Sequence, residues 1–144
     1  MTEAEIPPAP APPSPVRFSE RELSLAHHMA ALGIEWEPAP GMIVYDNHEL
    51  LHEASPIQPH VYMIINYAQF LATSGYNILQ FRSDWTWLPT WSEGREWLRR
   101  EGKSDTEVFD RIRERILDTG ITDLEALYEL MIVTLRAKQR PEVG

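Results

Sequence analysis

Between residues 90 and 125 one short pattern occurs three times, in Thr90-Trp91-Ser92-Glu93, Ser104-Asp105-Thr106-Glu107 and Thr122-Asp123-Leu124-Glu125. A hydroxyl followed three residues later by a glutamate is the arrangement in which each side chain takes a free backbone N–H at a helix start. Gly102 and Gly120 lie between the patterns, where a left-handed residue ends a helix without a Cβ penalty. Three consecutive capped helices therefore fill the last third of the chain. In the middle one Val108, Phe109, Ile112 and Ile116 share a side, with Glu107 and Arg111 paired on the exposed face. The last, over about 123–138, places Leu124, Leu127, Tyr128, Met131 and Leu135 on one stripe and carries Leu130, Ile132 and Val133 beyond it. That surplus requires a second neighbour, within the domain or in a partner.

The same logic places an earlier helix after Ser19, whose partner is Glu22, with Gly33 as its stop. The β-prone run Met42-Ile43-Val44-Tyr45 predicts a short strand. A brief helix over Asn47–Ala54, capped by Asp46 or Asn47, and a longer apolar helix over Pro59–Ser74 are expected next. Residues 77–88 suggest a hairpin turning at Arg82-Ser83-Asp84. The fold class is thus α+β and predominantly helical, with five or six short helices and a minor β element of two or three short strands. One helix-rich domain spans 18–140. Six of the twelve prolines fall in residues 1–17, a Pro/Ala-rich tail expected to be disordered and extended. Residues 141–144 form a short C-terminal tail.

Composition narrows the function classes. The chain has no cysteine, which removes disulfides, thiolate metal sites and cysteine nucleophiles. Its longest apolar stretch is too short to span a bilayer and its N-terminus lacks a basic region ahead of an apolar one, so a cytoplasmic protein without a membrane association is expected. A net charge of −9 opposes binding to nucleic acid. The basic residues Arg95, Arg99, Arg100, Lys103, Arg111, Arg113 and Arg115 alternate with acids, as in an ordinary solvated surface.

Three features could carry chemistry or recognition. His48-Glu49-Leu50-Leu51-His52 matches the spacing in which two histidines on one helical face hold zinc and the glutamate between them acts as general base, with His60 as the nearest third ligand. The competing interpretation leaves these polar groups on the wet flank of a short helix. Trp85, Trp87, Trp91 and Trp97 lie within 13 residues; exposed, they could stack on a ligand or a nucleic acid, and buried, they would form a seam of the core. The apolar surplus at Leu130, Ile132 and Val133 is the third feature.

No complete catalytic constellation emerges, and the glycine-rich phosphate loop is missing. The sequence favours a non-catalytic interaction or accessory protein whose partner is another protein or a second copy of itself, with no cofactor. A zinc-dependent hydrolase built on His48, Glu49 and His52 is the alternative. A ligand- or nucleic-acid-binding module using the tryptophan segment is a third.

Overall fold

The computed structural model describes residues 17–74 and 77–139, so the expected tails lie outside the described residues except for Arg17. The first helix, α1 (Glu20–Ala31), begins at Ser19, where the capping box forms with both partners in place. The chain then enters β1 (Ile43–Asp46) and β2 (Val61–Met63), passes through α2 (Tyr67–Ser74) and α3 (Ile78–Asp84), and returns to the sheet as β3 (Trp85–Trp87). Three helices complete it: α4 (Trp91–Arg100), α5 (Asp105–Thr119) and α6 (Asp123–Gln139). The sheet order is β2-β1-β3 with both pairings antiparallel. This is the predominantly helical α+β class that the punctuation predicts.

Three segments differ from expectation, each for a local reason. Residues 47–54 form no helix. The Asp46 carboxylate takes the N–H groups of His48 (3.3 Å), Leu50 (2.9 Å) and Leu51 (2.8 Å), substituting for the carbonyls a helix would have used. Glu49 adopts φ +53°, which breaks helical continuity. The long helix expected over 59–74 is divided. Val61–Met63 pairs with β1, Ile64 donates to the Met42 carbonyl at 2.8 Å, and only Tyr67–Ser74 is helical, with Asn66 Oδ1 accepting from Gln69 N–H at 3.3 Å. The expected hairpin is also absent: Asn77 caps α3 by accepting from Leu79 and Gln80, and Trp85–Trp87 pairs with β1 instead.

The helix α6 is the central element, with α1, α4 and α5 all packed on it. Helices α1 and α6 run side by side in the same direction, as the pairs Arg21–Glu129 and His28–Arg136 show. Parallel neighbours bring two helix N-termini together, and two buried glutamates are placed where those termini favour negative charge. Glu22 accepts from Ser19 N–H (2.7 Å) and from the Thr122 hydroxyl (2.8 Å), while the Ser19 hydroxyl donates to Glu125 at 3.4 Å. Tyr128 donates to the Pro89 carbonyl at 2.5 Å, and burial pushes its phenol well above the ordinary tyrosine range.

Candidate interaction groove

The four tryptophans of the 85–97 segment belong mainly to the core. Trp85 is fully buried, Trp87 and Trp97 are each 5% exposed, and Trp91 is half-buried against Phe109. Trp85 contacts Phe70 with ring centroids 5.0 Å apart, and Trp87 stacks on Trp36 at 6.1 Å. The faces of Trp85, Trp87 and Trp97 are covered by protein, as in the seam of the core that was the buried alternative. Burial on both faces of β3 accommodates the aromatic density, because its three residues are all buried.

The histidines are dispersed by the loop after β1. His48 Nε2 lies 3.8 Å from Asp84 Oδ1, whereas His52 is exposed beside His60, Glu49 and Glu53 around a hollow of about 460 Å³. His60 has φ +70° and its ring lies against Tyr45 at 5.5 Å. The shared helical face that would align His48 with His52 is not formed, and among the described residues no group of three or more His, Asp or Glu is placed to hold a metal ion. His27 is occupied structurally, with its Nδ1 2.7 Å from the Leu23 carbonyl and its ring edge on Tyr45.

The basic run of α4 and α5 is largely neutralised. Asp105 receives Arg99 through two bonds of 2.9 Å and Arg95 at 3.2 Å, so hydrogen bonding by Arg99 holds its carboxyl below the usual carboxylate range. Lys103 pairs with Glu107, and Lys138 with Glu101. Arg115 forks onto Glu129 at 2.8 and 3.1 Å. Together with Arg21 it holds the Glu129 carboxyl below its ordinary value.

What remains is the surplus of α6, and the structure divides it. Ile132 (5% exposed) and Leu130 (9%) are covered within the fold, whereas Val133 is 52% exposed. With α1 and α5 packed on α6, a groove of about 460 Å³ is left over α6, bordered by Leu25 and His28 of α1 and by Arg111 and Arg115 of α5. Ala126, Leu130 and Val133 form its floor, at the spacing that keeps residues on one helical face. A second hollow of about 430 Å³ shares Arg111, Leu130 and Val133 and extends the groove along α6 to Lys138. From residue 126 to 138 this amounts to about 18 Å of helix. The periodicity of α6 alone indicated an apolar excess; it could not show that Arg111 and Leu25, distant in sequence, would wall it.

Comparison with known protein families, with curated proteins and with solved structures finds no match to this chain. Among the described residues no helix is long and apolar enough to cross a membrane.

Proposed function

We propose that the protein acts by holding a segment of another protein in the groove over α6. The observation that supports this most directly is Val133, an aliphatic side chain 52% exposed in the floor of the groove beside the buried Ala126 and Leu130. Apolar surface gathered in a concavity gains more on association than the same surface scattered, because the walls desolvate the ligand as well.

The test is site-specific photo-crosslinking in the source cell, with benzoylphenylalanine at Val133 and, as control, at Leu117, which is 73% exposed and lies outside the groove. The proposal requires a discrete adduct from position 133 that is missing from 117. Binding of the purified partner must then be lost in Val133→Glu without a change in melting temperature. Identical adduct patterns from both positions would count against it.

A further inference from the structure

We infer that the occupant of this groove is an acidic amphipathic helix, an inference that rests on the docking proposal above. The chemistry of the groove argues first against an extended ligand. Its floor and walls are helices, whose backbone N–H and C=O groups are already paired internally. An extended segment laid there would find no ladder of main-chain partners, whereas a helix brings its own backbone bonds with it. Among the described residues the walls carry no Trp, Tyr or Phe of the kind that grips polyproline segments, so a proline-rich occupant is disfavoured as well. Shape agrees, because the floor residues fall at i, i+4 and i+7 over about two turns, the repeat that an apolar helical stripe can meet.

Charge selects the sign. The chain carries −9 overall, yet Arg111, Arg115 and Arg136 outnumber Glu114 and Glu129 around the first hollow, and over both hollows, with Lys103, Lys138, Glu101 and Glu107 included, five cations face four acids. Glu129 is already engaged by Arg115 and by Arg21 from α1. Arg111 and Arg136 are exposed, neither has a carboxylate partner among the described residues, and Arg136 contacts only the His28 ring nitrogen at 3.0 Å. Carboxylates flanking an apolar stripe would pair with these two guanidinium groups in forked geometry. A second copy of the chain suits the site less well, since a two-fold contact would set one face with an excess of cations against another.

The experiment is selection of surface-randomised 18-residue helical peptides displayed against the full chain, with each binder retested on Val133→Glu. Binders that depend on Val133 are expected to be rich in Asp and Glu beside an apolar i, i+4, i+7 stripe. The double variant Arg111→Glu/Arg136→Glu should weaken them about tenfold or more at an unchanged melting temperature, and selection on that variant should yield basic peptides instead. Val133-dependent binders that are neutral or basic, and indifferent to the reversal, would overturn the acidic assignment while leaving the docking proposal standing. Failure to obtain any Val133-dependent binder would remove the docking proposal itself. A dimer by light scattering that dissociates in Val133→Glu would replace the acidic helix with a second copy.

Discussion

Gly94 sits inside α4 where the helix crosses α6, and replacing it with alanine sets two effects of known size against each other. In an exposed helix interior the change stabilises by about 1 kcal/mol, since alanine restricts the unfolded chain more than glycine does. Here a Cβ would stand 2.6 Å from Leu127 Cδ2, 3.2 Å from Leu127 Cγ and 3.3 Å from Met131 Sδ. Leu127 and Met131 are fully buried. Overpacking of this kind costs about 1–3 kcal/mol, and two atoms of the buried Leu127 side chain lie inside contact distance, so packing is expected to win. The expected net effect is destabilisation by roughly 1–2 kcal/mol, measurable by urea titration. Leu127→Ala alone should cost about 2–5 kcal/mol, but in that background Gly94→Ala should become neutral or stabilising by up to about 1 kcal/mol, because the obstructing atoms are gone. A raised urea midpoint for Gly94→Ala in the otherwise unaltered protein would refute the close crossing of α4 and α6.

Three further outcomes are expected. Asp46→Asn should destabilise by about 1–3 kcal/mol in chemical denaturation, because one carboxylate oxygen becomes an N–H₂ group facing the backbone donors of the 48–51 loop; a change within error would show that the loop does not depend on this acid. Glu129 is held below its ordinary pKa of 4.5, chiefly by the Arg115 hydrogen bond, so its contribution is present above that pH and is lost as pH falls through the lowered value. The melting-temperature gap between the unaltered protein and Glu129→Gln should therefore narrow below pH 4.5, and a gap that widens there would contradict the assignment. Equimolar zinc should leave the melting temperature unchanged, whereas a rise of several degrees abolished by His48→Ala or His52→Ala would establish a metal site on the loop after β1.

Elements whose information is local were legible from the residues. Ser19 with Glu22 and Thr90 with Glu93 form complete reciprocal caps, and the stops at Gly33, Gly102 and Gly120 all take positive φ. Between residues 47 and 88 local pattern competed with tertiary pairing and lost. Asp46 looked like a helix cap and is instead the organiser of a loop, since its residue type serves either role and only β1 pairing on both sides fixes which one. Val61-Tyr62-Met63 has the composition of a buried helix or of a strand, and its neighbour β1 decides the matter. Asn77 is a strong N-cap signal, but the β-prone residues that follow it obscured α3. The candidate groove was half visible: α6 shows its excess in sequence, while the walls come from residues some 15 to 105 positions away and depend on the packing of three helices.

The central claim is that the groove between α1 and α5 over α6 is the docking face. Its most direct test is a chemical-shift titration of the ¹⁵N-labelled full chain with a peptide that photo-crosslinking or display selection identifies. Saturable shifts are expected to concentrate at Leu25, His28, Ala126, Leu130 and Val133, with Arg111 and Arg136 broadened or displaced as their side chains engage. Shifts centred instead on the 48–60 loop or around Trp91 and Phe109, with the α6 floor unmoved, would contradict it.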